Sequence, residues 1–172
     1  MAYALRDELL ATMQKTQTVD CHSHTCRPGA YVEAGPRSLF SLTSYFDRTI
    51  HSVTGEPTSA FYEGCESDEQ RWERLKPVLA NARNVSYWRH HIVTCQRLFD
   101  FSDDDLTDEN WAALNDTILE RTGGEEWYRH LIENVCGLRP QVRNIPWFED
   151  WEPDYFTPVL PMQEALNLHQ ET

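Results

Sequence analysis

The chain has 172 residues and a mass of 20.1 kDa, enough for one domain with a sizeable core but not for a complete (β/α)8 barrel of about 250 residues. Its 15 basic and 28 acidic residues give a net charge of 15 − 28 = −13. This charge predicts that neither nucleic acid nor an anionic membrane surface is a partner. No apolar run approaches the about 20 residues that a membrane span requires.

The cysteine pattern indicates a reducing compartment. The count of five is odd and no CxxC pair occurs, so a disulfide framework is not expected. Arg6, Asp7 and Glu8 stand where a secretory leader would have its apolar segment. We therefore predict a cytoplasmic protein with reduced thiols. Cys95 and Cys136 fall on helical patterns and are expected to pack in the core.

Hydrophobic periodicity predicts one strand followed by a long helical stretch. Leu5, Leu9, Leu10 and Met13 recur at helical spacing before the strand. Four tryptophans recur at similar spacings after it and are expected in the core: Trp72, Trp88, Trp111 and Trp127. The predicted elements are, in chain order, a helix over 3–15, a strand over 16–22, a helix over 38–50, a loop over 51–66, a helix starting at a Ser67/Gln70 capping box, a helix over 86–101, a helix capped by Thr107 and a helix over 125–136.

The last 35 residues are rich in proline, which excludes long helices there. Short strands are predicted at Val142–Ile145 and Phe156–Leu160, and a helical turn at Gln163–His169. An aromatic cluster in this segment is expected to pack the tail, with a carbohydrate pocket as the alternative; it consists of Trp147, Phe148, Trp151, Tyr155 and Phe156.

The segment from Asp20 to His24 carries the pattern closest to chemistry. Side chains alternate along a strand, so Asp20, His22 and His24 are expected on one face. Two imidazoles whose Cα atoms lie about 6.5–7 Å apart can bind one metal ion, and the carboxylate can orient a ring or the metal shell. The pattern predicts a divalent-metal site, with zinc as the expected ion. The simpler alternative is a pair of ordinary surface histidines.

A third ligand is harder to identify. If the strand continued, Cys26 would share the face of the two histidines and could bind zinc within one chain or at a chain–chain contact. Pro28 and Gly29 favour a turn there, so a free loop thiol is the alternative. The remaining histidines offer no obvious ligand. His51 lies near a predicted loop and His169 in the tail, and the three on predicted helices are expected to be surface or partly buried residues: His90, His91 and His130.

The segment Thr18-Val-Asp-Cys-His-Ser-His24 resembles the Asp-x-His-x-His signature that closes the first barrel strand of the amidohydrolase superfamily. These are metal-dependent hydrolases with relatives such as uronate isomerase. A long helical insertion after the first strand is similar to that of the uronate isomerase branch. Ser86-Tyr-Trp-Arg-His-His…Gln96-Arg-Leu-Phe-Asp100 is similar to an aromatic-rich helix of that branch, and Tyr155-Phe-Thr-Pro-Val-Leu160 to its Thr-Pro stretch. The resemblance covers roughly residues 16–166.

The resemblance implies His22 and His24 as metal ligands and Asp20 as a supporting residue. It implies no catalytic residue, because the superfamily takes its further ligands and catalytic groups from later barrel strands. In the isomerase branch the Thr-Pro stretch leads into an arginine suited to a substrate carboxylate. Here Pro161 follows Leu160, so that contact does not carry over.

We therefore predict an α/β, predominantly helical chain that forms an incomplete (β/α)8 TIM-barrel start with one to three strands. It is expected to be a single domain over residues 1–172. Its parts are the first strand and metal motif at 16–26, the helical insertion at 38–136, and the Pro-rich segment with short strands at 140–172.

Two functions remain open. The first is a metal-dependent hydrolase or uronate isomerase-type enzyme acting on a small substrate, such as a sugar acid. On this hypothesis the 172-residue chain is inactive alone, being a gene fragment or half of a split enzyme, and it self-associates or pairs with a complementing chain. The second is a non-enzymatic, acidic helical interaction module over residues 67–136. Its histidine pair would be incidental or would bind metal weakly.

Overall fold

The computed structural model describes residues 2–144 and 152–159. These form an α/β fold that is predominantly helical, as predicted. No helix of the described chain is long and apolar enough to cross a bilayer. The helices are α1 (Ala2–Lys15), α2 (Pro28–Glu33), α3 (Asp47–Thr54), α4 (Asp68–Ala82), α5 (Ser86–Leu98), α6 (Trp111–Arg121) and α7 (Glu125–Arg129); the strands are β1 (Thr18–Ser23), β2 (Leu138–Asn144) and β3 (Phe156–Val159).

The chain divides into two compact units. The helical unit is Pro36–Gly123, and the sheet unit combines the chain before residue 36 with the chain after residue 123. The expectation of a single domain over residues 1–172 stays a prediction.

The three strands form one parallel sheet in the order β1-β2-β3. The pairing of β2 with β3 is regular from Gln141 opposite Phe156 onward. The pairing of β1 with β2 is irregular on both sides of Asp20, which lies opposite Gln141. All three predicted strands are therefore present, although Ile145, Leu160 and the predicted turn at Gln163–His169 lie outside the described residues.

The sheet unit has a small aromatic core. Tyr31 of α2 packs against Tyr128 of α7, with ring centroids 5.3 Å apart, and Tyr155 lies on the other side of Tyr128 at 5.6 Å. The partly buried Trp127 and Leu138 pack on this cluster. Tyr155 thus packs as predicted for the aromatic tail, and Phe156 is buried too; Trp147, Phe148 and Trp151 lie outside the described residues.

Helix α1 of the sheet unit forms where predicted, but its apolar side chains stay in solvent. Leu5, Leu9 and Met13 are 58%, 54% and 69% exposed. Val19 of β1 is also 55% exposed, although strands of a parallel sheet are normally covered on both faces. Part of the apolar surface of this unit is therefore uncovered.

The helical unit has a larger core built on its tryptophans. Trp72 stacks on Trp111 with ring centroids 5.6 Å apart, and Phe46 packs on Trp88 at 5.0 Å. All four rings are buried. The prediction that Trp72, Trp88 and Trp111 are core residues is confirmed.

Helix α4 starts at the predicted cap. The Ser67 hydroxyl accepts a hydrogen bond from the Gln70 N–H at 3.4 Å. The Gln70 side chain accepts from the Glu66 N–H instead of the Ser67 N–H. One half of the predicted capping box is therefore present.

The helix predicted over residues 38–50 is displaced along the chain. Ser38 and Ser41 cap each other, since each hydroxyl accepts from the backbone N–H of the other. This local bonding favours tight turns at the start of the segment. Gly55, with a φ of 74°, ends the α-helix later than predicted. The segment contains 3-10 turns at Leu39–Leu42 and Ser44–Phe46, followed by α3.

Two other predicted helices differ at their ends. The Thr107 hydroxyl accepts from the Glu109 N–H within a turn, and α6 begins only at Trp111. The helix predicted over 125–136 is α-helical to Arg129 and continues as a π-helical turn over His130–Val135.

Asp105 satisfies a buried indole. Its Oδ1 atom accepts from Trp88 Nε1 and from the Leu106 N–H, both at 2.8 Å. Its Oδ2 atom accepts from Arg83 Nη1 at 3.2 Å. The Trp88 ring is fully buried, so its N–H depends on this carboxylate for a partner.

His91 and Cys95 correct two expectations in opposite directions. His91 is buried, not a surface or partly buried residue as predicted, and burial lowers its pKa from 6.5 to about 4. Cys95 is fully buried as predicted, and burial raises the pKa of its thiol to about 12. A neutral imidazole 3.9 Å from a protonated thiol is a packed pair, not an activated nucleophile. Cys136, predicted in the core, is exposed: it follows the π-helical segment His130–Val135, whose wider turns change the face that the predicted helical spacing assigned to it.

We predict that Asp105→Ala lowers the free energy of unfolding by about 2 kcal/mol, because it leaves the buried Trp88 N–H without an acceptor. Asp104→Ala is the control: its neighbouring carboxylate is exposed, so the change is within about 0.5 kcal/mol. Urea unfolding followed by tryptophan fluorescence measures both. Equal effects of the two substitutions would contradict the assignment.

We predict that His91 makes the helical unit sensitive to acid. Its neutral form is favoured in the folded state, so its contribution is complete above pH 6.5 and is lost as the pH falls towards 4. Between about pH 7.5 and about pH 5 the loss is about 2 kcal/mol. His91→Gln removes this part of the pH dependence, whereas His90→Gln, at an exposed neighbour, retains it. Thermal unfolding at both pH values measures the difference, and identical pH profiles for the two variants would refute it.

Candidate metal-binding site

His22 and His24 are brought together at the end of β1. The Nε2 atoms of the two rings lie 2.9 Å apart, and the ring planes meet at 77°. Both side chains are exposed. The side-chain alternation along the strand predicted that the two histidines share a face, and in the structure their Nε2 atoms lie within hydrogen-bond distance of each other.

The distance between these nitrogens is close to that of two ligands on one ion. With Zn–N bonds of about 2.1 Å, a tetrahedral zinc holds two ligand nitrogens about 3.4 Å apart. At 2.9 Å the rings share one hydrogen, with one Nε2–H donating to the other Nε2. To bind one ion through both Nε2 atoms, the donating ring would have to carry its single hydrogen on Nδ1 instead, so that both Nε2 lone pairs are available.

Asp20 contacts the main chain of the histidine motif. Its Oδ1 atom accepts from the His22 N–H at 3.1 Å. This bond holds the backbone at His22, beside the irregular pairing of β1 with β2. Its contribution to the site is therefore to the path of the strand.

The described residues bring no third ligand to the pair. Among residues 2–144 and 152–159 there is no group of three or more His, Cys, Asp or Glu side chains placed to hold a metal. Cys26 is an exposed free thiol in the loop that follows β1. Its role as a ligand stays a prediction.

The other described histidines have separate surroundings. His51 bonds to the Glu56 carbonyl through Nδ1 at 2.7 Å, and His130 lies 3.3 Å from the Asn134 amide. His90 is exposed on α5 and His91 is buried beside it. His169 lies outside the described residues.

A buried amide fastens the chain on both sides of His24. Gln141 of β2 is 1% exposed, and its Oε1 atom lies 2.8 Å from Thr25 Oγ1 and 3.2 Å from Ser23 Oγ. The two hydroxyls lie 2.8 Å apart, and the Thr25 N–H donates to Ser23 Oγ. His24 stands between two residues that are held by the neighbouring strand.

The hydrogens of this network can be assigned by counting. Two hydroxyl hydrogens serve three oxygen–oxygen contacts, so the two shortest contacts are taken as the bonds. Thr25 then donates to Gln141 Oε1, and Ser23 donates to Thr25 Oγ1. The result is a continuous chain from the Thr25 N–H through both hydroxyls to the amide oxygen.

Tyr128 fastens the same loop two residues beyond His24. Its hydroxyl donates to the Cys26 carbonyl at 2.8 Å. Burial raises the pKa of Tyr128 to about 12, so the phenol keeps its hydrogen at any physiological pH. Cys26 thus has its backbone in a structural bond.

Sequence reasoning did not identify the residues of this network. Ser23 and Thr25 flank a motif histidine, and that adjacency was the one local signal. Gln141 and Tyr128 lie more than 100 positions from the loop that they hold. No spacing rule connects residues that far apart.

No family model matches the sequence, and no curated protein matches it significantly.

Proposed function

We propose that this chain belongs to an amidohydrolase-like, metal-dependent hydrolase or uronate isomerase-type enzyme, to which it contributes the first barrel strand and two metal ligands. The observation that carries the proposal is the convergence of His22 Nε2 and His24 Nε2 at 2.9 Å. Among divalent metal ions, zinc is the one that we propose for this imidazole pair. A small substrate, such as a sugar acid, follows from the sequence resemblance alone.

The sheet supports the start of a TIM barrel. In a (β/α)8 barrel, consecutive strands are parallel neighbours, and the chemistry lies at their carboxyl ends. Strands β1, β2 and β3 are parallel and adjacent in chain order. His22 is the penultimate residue of β1 and His24 follows its end, which places the pair at the carboxyl edge.

The roles of the residues follow from their contacts. His22 and His24 would bind the ion through Nε2, and Asp20 holds the backbone of the first ligand. The loop after His24, fastened by Gln141 and Tyr128, forms the rim of the site. A bound divalent ion would lower the pKa of a water ligand for hydrolysis or polarise a carbonyl for isomerisation.

The described residues supply two ligands, whereas a catalytic zinc site usually has three protein ligands and an open position. We propose that the 172-residue chain alone does not turn over substrate, and that self-association or a complementing chain completes the site. The uncovered apolar surface of Leu5, Leu9, Met13 and Val19 favours such an association.

One observation favours a second function. The helical unit, Pro36–Gly123, is compact by itself and has its own buried core. The alternative proposal therefore stays an acidic, non-enzymatic helical interaction module over residues 67–136, most of which belong to this unit, and in it the histidine pair is incidental or binds metal weakly.

We predict that the purified chain, freed of metal by a chelator, binds zinc through the histidine pair. Competition with a chromophoric chelator measures the affinity. The double variant His22→Ala/His24→Ala should bind at least about 100-fold more weakly, since it lacks both ligands. The matched control, His90→Ala/His130→Ala, removes two helix histidines and should bind as the parent does.

Equal zinc binding by parent and double variant would refute the assigned ligands. If the parent chain does not bind added zinc, the result would favour the interaction module. Metal-dependent hydrolysis or uronate isomerisation by the 172-residue chain alone would contradict the proposed need for a further chain.

A further inference from the structure

We infer that Gln141 is a positioning residue for the metal site, acting on His24 through Thr25 and Ser23. This inference rests on the proposed metal-binding function and assigns a role to a residue of the neighbouring strand. The amide oxygen of Gln141 lies within hydrogen-bond distance of the hydroxyls of Ser23 and Thr25, the two residues that flank His24. It sets where the second ligand stands relative to the first.

The positions of the two imidazole rings are not set by packing around them. His22 and His24 are exposed, and an exposed side chain at a strand end has free rotamers. The convergence of the two Nε2 atoms at 2.9 Å therefore depends on the backbone that carries them. His24 lies beyond Ser23, the last residue of β1, where the ladder no longer holds the chain.

Beyond the end of β1, the side chain of Gln141 holds the chain in place of backbone strand pairing. Its Oε1 atom accepts from the Thr25 hydroxyl at 2.8 Å, and the Thr25 N–H bonds to Ser23 Oγ at 3.2 Å. Ser23 is 7% exposed and Gln141 is 1% exposed, so one partner of each bond is shielded from water, which strengthens the bond. Thr25, after His24, is thus held on the buried Gln141 oxygen, and Ser23, before His24, is joined to it through the Thr25 hydroxyl.

We expect that Gln141 can be substituted without a large loss in the free energy of unfolding. Its Nε2 atom is buried and makes no hydrogen bond of normal geometry among the described residues, and the side chain lies near the Tyr128 hydroxyl. Gln141→Met removes that unsatisfied donor together with the acceptor, and the two effects on stability oppose each other. Loss of metal affinity can then be separated from loss of fold.

The test measures zinc affinity by chelator competition for the parent, Gln141→Met, Thr25→Val and Thr25→Ser. Thr25→Val removes the hydroxyl at constant shape, and Thr25→Ser keeps the hydroxyl. We expect affinity to fall about 10- to 100-fold in the first two variants, as for other residues that orient metal ligands. Thr25→Ser should stay within about threefold of the parent.

Asn115→Met is the matched control. Asn115 is also a buried amide with two hydrogen bonds, to the Leu39 N–H and to Asp68 Oδ2, but it lies in the helical unit. It should destabilise the fold without changing zinc affinity. The absorption spectrum of bound cobalt provides a second readout, since displaced His24 alters the ligand field in Gln141→Met but not in Asn115→Met.

Parent-like affinity and spectrum in both Gln141→Met and Thr25→Val would overturn the positioning role and leave the metal site standing. If the parent chain itself does not bind zinc, the proposed function and this inference are both overturned. If near-UV circular dichroism shows that Gln141→Met has unfolded, the Thr25→Val and Thr25→Ser pair decides: weakened binding in the first with binding restored in the second supports the role, and equal binding refutes it.

Discussion

The parallel pairing of β1 with β2 is the constraint on which the sheet unit depends. It brings Ser23 against Gln141 across 118 positions of sequence, and closing so long a loop costs conformational entropy that later contacts must offset. The aromatic cluster around Tyr128 and the buried hydroxyl network supply those contacts. The end of β1, and with it the histidine pair, has its position because this pairing forms.

In the helical unit, the main constraint is that polar groups buried in the core need hydrogen-bond partners. The indole N–H of Trp72 bonds to Asp108 at 2.6 Å and that of Trp88 to Asp105 at 2.8 Å. Part of the acidic excess is therefore structural, since these carboxylates satisfy the edges of a tryptophan core. His91 is accommodated by staying neutral, which ties the packing of α5 to the protonation of one ring.

The candidate site combines an open surface with a rigid base. The imidazoles are accessible to solvent and to an ion, while the loop that carries His24 is held by partly buried hydrogen bonds from β2 and α7. This arrangement suits metal binding, because a backbone that is already held in place loses little freedom when the ion arrives. With two ligands converging among the described residues, further coordination must come from water or from another group.

The sequence by itself determined what depends on near neighbours. Periodicity located the helices, and alternation predicted that His22 and His24 share a face. The start of α4 followed from a cap within a few residues. Tertiary structure alone decided that Gln141 and Tyr128 hold the loop of the second histidine, that His91 is buried and that Cys136 is exposed. Those outcomes depend on which distant surfaces meet, and a hydrogen bond between residues more than 100 positions apart has no signature in local spacing.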